Sequence, residues 1–445
     1  MSSTIAIEGV TEALNAAAVQ ARSAGEPAWL KARREHAWKV YEETPMPTTR
    51  LEEWRYTDLS EKLKLSSMKL SQAAVAADDP SAFPAGLREA MEQDHEAAGH
   101  LVMIDGHVVH TDIQDDLASK GVVLCSLKAA VESHPALIEK WLATEAVPAE
   151  KSKFAALSAA LWSDGIFLFV PKGVRLDLPV RVTRWYSESG VATFSRTLIV
   201  AEPTSRVSYV DEILSDDFSA QSLASSAVEV ITQDGAQVQY VAVQRMGKGA
   251  FYMSEQRTLA YRDSTLNTLN VNLGASVSRV DLNAQLLGPG ANSDMLGLYF
   301  GDGDQHFDHN TSQDHVSPNA NSDLLYKGAL DDHSRGVFRG IIRVHEGAQG
   351  TDAYQTNRNL LLSEHAGADS LPNLEIAADD VKCSHGATVG QLSAEELFYL
   401  QSRGIPQQVA ERLVVMGFLG EVLLKLPLGG VVEKVSRAID QKLNG

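Results

Sequence analysis

Cysteine is almost missing from this chain of 445 residues, which carries only Cys125 and Cys383. Two thiols cannot form a disulfide framework, and they cannot complete a four-cysteine metal site within one chain. Few thiols are typical of proteins from a reducing compartment. We therefore expect a cytoplasmic protein whose stability comes from a hydrophobic core.

Positive charge and long apolar runs are also scarce. The chain has 39 Lys and Arg against 58 Asp and Glu, a formal net charge of −19. Nucleic-acid-binding proteins normally present a basic face, so this partner class is disfavoured. The most apolar stretch, 413–426, is interrupted by Glu421 and Lys425, and a membrane helix needs roughly 18 or more apolar residues. The N-terminus lacks the pattern of a signal peptide. We expect neither nucleic acid nor a membrane as a partner.

Common enzyme motifs are missing as well. The sequence has no Walker-type phosphate loop, no strand-linked GxGxxG and no GxSxG nucleophile elbow. Two acidic pairs, 331–332 and 379–380, are the candidates for a carbohydrate-active β-helix enzyme, a polysaccharide lyase or hydrolase. Both pairs fall at strand breaks, where Asp is a common turn residue. Aromatic side chains for a sugar groove are few, with Trp185 well inside the β region. This enzyme is kept as an alternative function.

Short β-strand patterns are what the sequence has in quantity. Nearly every window from about 165 to 389 alternates Val, Thr, Tyr and Ser, with Gly, Asp or Asn at the breaks. The segment ANSDML at 291–296 recurs 29 positions later as ANSDLL at 320–325. Related strand starts fall at 205–207, 236–238, 264–266 and 351–353. A second set of strands lies between them, at 196–198, 226–228 and 257–259.

This repeat predicts a coil of stacked turns. The spacing of roughly 28 to 31 residues is within the range of known repeat architectures. Two strands in each turn fit a flattened β-helix, in which every turn buries a face of its neighbour. A large antiparallel sandwich is the rival fold that the pattern leaves open.

The N-terminal flank is predicted to be largely helical. A first helix would be capped by Thr11 and end at Gly25, and a second would start at Pro27. The second helix has an apolar stripe made of Leu30, Arg34, Ala37, Trp38 and Tyr41. The acidic, Ala-rich stretch 75–96 is interpreted as a mobile connector. A small α/β segment follows, with a hairpin at 101–109, a strand at 122–124 and one helix over 127–142.

The C-terminal flank returns to helix. Ser393 starts a capping box, Gly404 ends that helix, Pro406 begins another, and 431–443 forms the last. The tail is more apolar than a short surface helix requires. Two explanations are open at about even weight: an apolar face that binds a partner, or packing of the tail on the end of the β-helix.

Cys383 and His385 form the sharpest local feature. Two residues apart in a strand, they lie on one face, where a thiolate and an imidazole could ligate iron or zinc. Two ligands do not complete a tetrahedral site, so a cluster here would need ligands from another chain. Taken alone, the pattern favours the plainer alternative, a buried cysteine beside a hydrogen-bonded histidine.

A second histidine group, the run HFDHNTSQDH at 306–315, has the composition of a metal site, with three histidines beside two aspartates. In a strand, however, His306 and His309 would face opposite sides. We interpret His306, His309 and His315 as solvated side chains at a turn or subunit contact, not as metal ligands.

Three long segments resemble the SufB/SufD family of iron–sulfur cluster assembly proteins, and together they span most of the chain. The N-terminal one runs from Trp29 to Asp58 and includes PMP at 45–47 and EWRYTD at 53–58. The middle one includes SDLLYKG at 322–328 and VFRG at 337–340. The C-terminal one includes AGA at 366–368, CSHG at 383–386 and LFYL at 397–400.

The resemblance implies a scaffold subunit and not an enzyme. In the family, SufD pairs with its paralogue SufB through their β-helices, and their helical C-terminal regions dock the ATPase SufC, which hydrolyses the ATP. A transient iron–sulfur cluster, shared with SufB and not tightly held by one chain, forms at the interface. The matching motif makes His385 the expected ligand and Cys383 an auxiliary residue. The implied SufC-docking residues are Pro406, Val409, Leu413, Phe418, Leu419 and Val422.

Two departures favour the SufD branch over the SufB branch. Asn357 falls about where SufB carries a cysteine, and the neighbours of His385 are Ser384 and Gly386 where SufB has acidic residues. A SufD homodimer is a further possible assembly, and a purely structural homodimer without an assembly role is a third reading of the chain. The expected partners remain SufB and SufC.

Pattern and resemblance together predict a mainly β protein, a flattened right-handed parallel β-helix with helical flanks. The expected divisions are an N-terminal helical region at 1–97, a small α/β segment at 98–150, the β-helix at 155–390 and a helical ATPase-docking domain at 391–445.

Overall fold

The computed structural model describes residues 13–71, 81, 83–92, 96–426, 428 and 430–443. Its α-helices are α1 (Ala16–Arg22), α2 (Ala28–Glu43), α3 (Leu59–Lys62), α4 (Ala85–Glu92), α5 (Asp115–Ser119), α6 (Leu127–Ser133), α7 (Pro135–Trp141), α8 (Lys153–Leu161), α9 (Ala394–Ser402), α10 (Gln407–Lys425) and α11 (Val431–Leu443). Short 3₁₀ helices lie at Glu52–Trp54, Leu65–Ser67 and Ala149–Lys151.

The strands alternate between two sheets that we call the front and back sheets. The front sheet contains β4 (Val123–Ser126), β5 (Asp164–Val170), β7 (Val191–Ala201), β9 (Ser222–Thr232), β11 (Ala250–Ala260), β13 (Val277–Leu286), β15 (His306–His315), β17 (Arg335–Val344) and β19 (Gly367–Ile376), with β1 (Lys69–Leu70) beside β7. The back sheet contains β2 (Gly99–Ile104), β3 (His107–Ile113), β6 (Val180–Tyr186), β8 (Arg206–Ser215), β10 (Gln237–Arg245), β12 (Thr265–Asn272), β14 (Asn292–Gly301), β16 (Asn321–Leu330), β18 (Thr351–Leu361) and β20 (Val381–Gln391).

From β5 to β20 the chain alternates between the two sheets, and each strand pairs in parallel with the next strand of its own sheet. This is a parallel β-solenoid of about eight turns. The predicted mainly β fold, a parallel β-helix with helical flanks, is therefore confirmed. An antiparallel sandwich is excluded because the pairs within the coil run in parallel.

The back sheet follows the repeat read from the sequence. Asn292 of β14 pairs with Asn321 of β16, so the two ANSD segments lie directly on each other. The strand starts at 205–207, 236–238 and 264–266 also align without a shift. A small buried residue opens these strands, as Ala236, Ala291 and Ala320 do. A left-handed residue precedes it, such as Gly290 at φ 74° or Asn319 at φ 57°, which are residue types that accept this backbone.

The front sheet has the predicted strands but a different register. Arg196 pairs with Ala227, one residue beyond the predicted start at 226, and Arg257 pairs with Glu229. The sequence repeat is weaker on this side. A register slip of one residue turns every side chain to the other face, so the register is fixed by which face is buried and not by a short motif.

In the first turns, the space between the sheets contains aromatic side chains together with a buried ion pair. Tyr209 and Tyr240 stack inside the coil with ring centroids 5.5 Å apart. Beside them Arg184 pairs with Asp211 at 2.7 Å, both fully buried. A buried ion pair of this kind gains little net stability but is costly to break on one side. It therefore restricts how the first turns can pack.

The N-terminal helices cover the outer face of the front sheet. The stripe predicted on α2 is buried as expected, and Arg34 donates to the carbonyl oxygens of Ala160 and Trp162 at 3.0 Å. Thr11, the predicted cap of the first helix, lies outside the described residues; Asn15 caps α1, its side chain accepting from the N–H of Ala18 at 2.9 Å.

Two local predictions in this flank are wrong. Of the stretch 75–96, residues 81, 83–92 and 96 are described, and they include α4, which packs on Trp185 through Leu87, next to Phe83. This part is a packed helix and not a mobile connector; the rest of the stretch lies outside the described residues. The helix predicted over 127–142 is two helices, α6 and α7, with His134 between them and Pro135 at the start of the second. Proline cannot donate to the preceding turn, which ends the first helix. The hairpin is confirmed, with β2 and β3 joined by left-handed Asp105 and Gly106.

The C-terminal helices pack along the coil. Leu419 and Val435 lie in one buried cluster with outward-facing residues of the back sheet such as Leu269 and Leu296. Lys327 of β16 donates to the carbonyl oxygen of Phe418 at 2.9 Å. The tail thus covers the side of the β-helix rather than its end. In the described part of the chain, no helix is long and apolar enough to cross a membrane.

Candidate functional site

The last turn of the coil is left open. Among the described residues, β19 is the outermost strand of the front sheet and β20 is the outermost strand of the back sheet. Large apolar side chains are exposed at this end: Tyr354, Leu374, Ile376 and Val389 are 46, 37, 42 and 45 % exposed. A strand edge with free N–H and C=O groups, flanked by exposed apolar side chains, is a surface suited to pairing with another chain.

His385 lies on this open end. It belongs to β20 and is exposed. Cys383, two residues earlier, packs partly against the interior cluster that includes Ala353 and Ile342. Since residues two apart share a side of a strand, His385 lies on the interior side of β20, at the mouth of the coil.

The residue beneath His385 is Gln355, which pairs with it in the strand ladder. Gln355 is fully buried, and neither polar atom of its amide has a partner among the described residues. Gly340 leaves the space for it on the opposite wall, where an added Cβ would lie 2.5 Å from the amide carbon. Gln355 was missed in the sequence because only the tertiary structure shows that it lies under the open end.

Cys383 is half-buried and poorly suited to ligate a metal by itself. Burial raises the pKa of its thiol, and the nearby carboxylate of Asp352 raises it further. Because the pKa is raised, the protonated thiol is the dominant form at neutral pH. The thiolate is the form that binds metals, so Cys383 is a weak ligand in this environment. The described residues contain no cluster of three or more His, Cys, Asp or Glu that could hold a metal ion. His385 therefore offers one nitrogen ligand at an open edge and needs ligands from elsewhere.

Comparison with known proteins identifies the family of this chain. Residues 184–418 match the family description "SUF system FeS cluster assembly, SufBD core domain", and residues 13–182 match "SufBD protein N-terminal region". The chain belongs to the SufB/SufD family. The family resemblance seen in the sequence is thus confirmed, and the family's role is iron–sulfur cluster assembly.

Curated relatives of the SufB/SufD family match almost end to end. The chain is 33 % identical over 424 residues to the iron–sulfur cluster assembly protein SufD of Bacillus subtilis, covering 94 % of this chain and 95 % of that protein. It is 30 % identical to SufBD family proteins of Staphylococcus saprophyticus and Staphylococcus aureus, covering 94 % of this chain and 90 % of each relative.

Asn357, which falls about where the SufB branch carries a cysteine, is fully buried inside the coil. Its Oδ1 accepts from Ser370 Oγ at 2.7 Å and from Asn359 Nδ2 at 2.8 Å, and its Nδ2 donates to the carbonyl of Tyr326 at 3.3 Å. The position thus holds a hydrogen-bonded amide that ties the last turns of the two sheets together.

The docking residues expected from the SufB/SufD family divide into two groups. Val409 and Leu413 are 43 and 50 % exposed, Pro406 is exposed, and Phe418 is half-buried. Leu419 and Val422 are fully buried against the coil. These two cannot touch a partner while α10 stays in place, because the apolar face that they form is already covered by the back sheet.

The histidine run is not solvated, so that interpretation is wrong. His306, His309 and His315 lie within β15 and are at most 4 % exposed. His306 faces outward and contacts Thr57 at 2.9 Å, whereas His309 faces inward and contacts Asn272 at 3.1 Å. The predicted opposite orientation is confirmed. The N-terminal segment covers one side of the strand and the opposite sheet covers the other.

The two acidic pairs lie at bends and turns, as the sequence indicates. Asp332 has a left-handed backbone at φ 47°, and 379–380 form a bend before β20. Both pairs thus have the place expected of turn residues in a coil, and neither is set in a groove lined by aromatic residues in the described structure.

Proposed function

We propose that this chain is a SufD-type scaffold subunit that supplies His385 to a transient iron–sulfur cluster built at an interface with a second chain. The observation that carries the proposal is the position of His385: an exposed imidazole at the open end of the coil, without enough neighbouring ligands among the described residues to hold a metal. A metal site shared between two chains needs each chain to supply only some of the ligands, and an exposed imidazole at an unpaired strand edge can be one of them.

The partner at the open end would be the paralogue SufB. The free edges of β19 and β20 allow a second β-helix to continue both sheets, and Leu374, Ile376 and Val389 supply apolar contacts. A homodimer through the same edge would offer two histidines and the half-buried Cys383 of each chain. The raised pKa of Cys383 makes that ligand set less favourable for iron than one that includes a partner's thiolate.

The helical tail would dock the ATPase SufC. An open cavity of about 720 Å³ lies between α9, α10 and the back sheet, with Tyr399, Leu413 and Phe418 in its lining. Phe398 and Tyr399 are 73 and 58 % exposed on α9. Movement of SufC during its ATP cycle would act on α9 and α10, which lead directly out of β20. ATP hydrolysis would belong to SufC, this chain would be a cytoplasmic non-catalytic scaffold, and the cluster would be its cargo.

Replacement of His385 tests the proposal. In cells that depend on this chain, His385→Ala should leave copurification with SufB and SufC intact and abolish maturation of an iron–sulfur enzyme such as aconitase. The complex should survive because an exposed side chain at a strand edge adds little stability, within about 0.5 kcal/mol.

The matched control is His36→Ala. His36 is also an exposed histidine, with 58 % of its side chain accessible, and it lies on α2, which belongs to the other flank of the chain. That variant should mature iron–sulfur enzymes normally. Normal maturation in the His385→Ala cells would refute the ligand role, whereas loss of the complex would show that His385 is structural.

A further inference from the structure

A polar cavity of about 270 Å³ lies on the outer face of the front sheet. Its floor is formed by Asn283, Asn310, Ser312 and Arg339, and Lys151 lies at its rim. The floor residues come from three consecutive turns of the coil, on β13, β15 and β17. The cavity is on the opposite sheet from His385, and neither the proposed cluster site nor the docking tail uses it.

The strand register places these four side chains side by side. Asn310 pairs with Arg339 across β15 and β17, and Asn283 pairs with Ser312 across β13 and β15. Neighbouring strands are about 4.8 Å apart, and residues two apart on a strand face the same side. The four side chains therefore form a compact block on the outer face.

Each of the four carries a buried polar atom that has no hydrogen-bond partner within the described chain: Asn283 Oδ1, Asn310 Oδ1, Ser312 Oγ and Arg339 Nε. Asn283 and Asn310 are only 7 and 5 % exposed. The orientation of Asn310 is fixed, because its Nδ2 donates to Asp308 Oδ1 at 2.8 Å. Unpartnered buried groups cost about 1–3 kcal/mol each, so four in one place point to a ligand.

The charges around the cavity limit the net charge of that ligand. Asp281 is held by Arg257 at 3.0 Å, and Glu375 is held by Arg343 at 2.8 Å. Glu53 also lines the cavity and makes no ion pair with a described residue. Lys151 makes no ion pair with a described residue, whereas Arg339 Nε forms a long ion pair of 3.6 Å with the exposed Glu52, a distance that leaves Nε without a hydrogen bond. Cationic and acidic groups around the cavity are thus nearly balanced, which favours a ligand of zero net charge that has one anionic and one cationic end.

We propose that this cavity binds a free α-amino acid. The ammonium group has three N–H donors, and the floor offers three unpartnered oxygens, on Asn283, Asn310 and Ser312. The carboxylate matches the free Nε of Arg339, with Lys151 next to it at the rim. A simple carboxylate would leave the three oxygens without hydrogen-bond donors, and a simple amine would leave Arg339 Nε without a hydrogen-bond acceptor, so both ends of the zwitterion are needed.

The experiment is titration calorimetry of the full-length chain with glycine and L-serine, with acetate and methylamine as half-ligands. Both amino acids should give saturable binding at millimolar concentration or better, and each half-ligand should bind at least about tenfold more weakly, since about 1.4 kcal/mol is lost for each tenfold. Asn310→Ala and Arg339→Gln should each weaken amino-acid binding by a similar factor.

The matched control is Asn321→Ala, which changes an exposed asparagine on the back sheet and should leave binding unchanged. Ser312→Ala is a smaller change at the floor and covers the case in which another variant fails to fold, as judged by its melting temperature. Absence of saturable binding of glycine and serine would overturn the proposal. So would equal binding of acetate, which would show an unspecific anion site, or unchanged affinity in folded Asn310→Ala and Ser312→Ala variants.

Discussion

At the residue scale, the open end of the coil contains two neighbouring side chains that could bind a metal, His385 and Cys383, and they differ in exposure. His385 is exposed at the edge, whereas Cys383 is half-buried against the interior cluster. The i and i+2 spacing predicted that both lie on one side of the strand. It could not predict that Cys383 alone reaches the interior apolar cluster, since that depends on Ala353 and Ile342, which are distant in sequence.

The two thiols are predicted to react slowly in the folded chain. Burial raises the pKa of Cys125 to about 11 and raises that of Cys383 as well. A raised pKa means less thiolate at pH 7, and the thiolate is the reactive form. Alkylation by iodoacetamide at pH 7 should therefore be slower in the folded chain than in urea, and it should speed up by about tenfold per pH unit below the pKa.

Mass spectrometry of the peptides around each cysteine measures the two rates separately, and Cys125→Ser serves as the control that leaves Cys383 alone. Rapid alkylation of Cys383 in the folded chain at pH 7 would contradict a protonated thiol and would favour Cys383 as a primary ligand.

At the scale of elements, α10 has one face against the coil and another directed to solvent. Leu419 and Val422 are buried on the coil side, and Leu413 is half exposed next to the cavity beside α9. Removal of 405–445 would strip α10 and α11 from the back sheet and expose its apolar surface. A surface substitution is therefore a cleaner test of docking than a truncation.

Leu413→Asp should weaken binding of SufC by at least about tenfold, because a charge would enter an apolar contact. Surface plasmon resonance with immobilised SufC measures the affinity. Leu51→Asp is the matched control: Leu51 is 52 % exposed and Leu413 is 50 % exposed, and Leu51 lies in the N-terminal flank. Unchanged affinity for Leu413→Asp would remove α10 from the docking surface.

The helix boundaries show how far local sequence signals reach. Ser393 caps α9, Gly404 has a left-handed backbone at φ 84°, and Pro406 precedes α10, all as predicted. These signals work because each acts on its own few residues. In the stretch 75–96, Pro84 precedes α4 as Pro406 precedes α10, but the helix is held in place because Phe83 and Leu87 pack against Trp185, about a hundred residues away in sequence.

At the scale of the whole molecule, the histidines of β15 couple the fold to pH. Burial is the first cause of a lowered pKa for each of them: about 3 for His306, about 4 for His309 and about 4 for His315. For His306, the cations of Lys62, Arg279 and Arg335 add to the effect. All three are therefore neutral in the folded chain at neutral pH.

The chain is predicted to lose stability in mild acid. The unfolded histidines bind protons below about pH 6.5, whereas the folded ones do not until about pH 4. The unfolded state binds more protons in that window, so the stability present above pH 6.5 falls as the pH drops. Each of the three histidines should lower the free energy of unfolding by about 1.4 kcal/mol at pH 5.5.

Guanidinium unfolding at pH 7.5 and pH 5.5 measures this loss. His309→Gln should show a smaller loss than the unchanged chain, because one proton-binding group is removed from the unfolded state; His36→Ala, on an exposed histidine, is the control. Equal unfolding midpoints at the two pH values would contradict the burial of the histidine run.

The period of about thirty residues, the absence of disulfides, the boundaries of the C-terminal helices around Ser393, Gly404 and Pro406, and the membership of the SufB/SufD family were all determined by the sequence alone. They depend on residues close together or on patterns repeated along the chain. Only the tertiary structure decided the front-sheet register, the burial of β15, the covered half of α10 and the cavity floor. Those depend on contacts such as that between Thr57 and His306, which are 249 residues apart, and no local pattern encodes which distant surface will cover a given face.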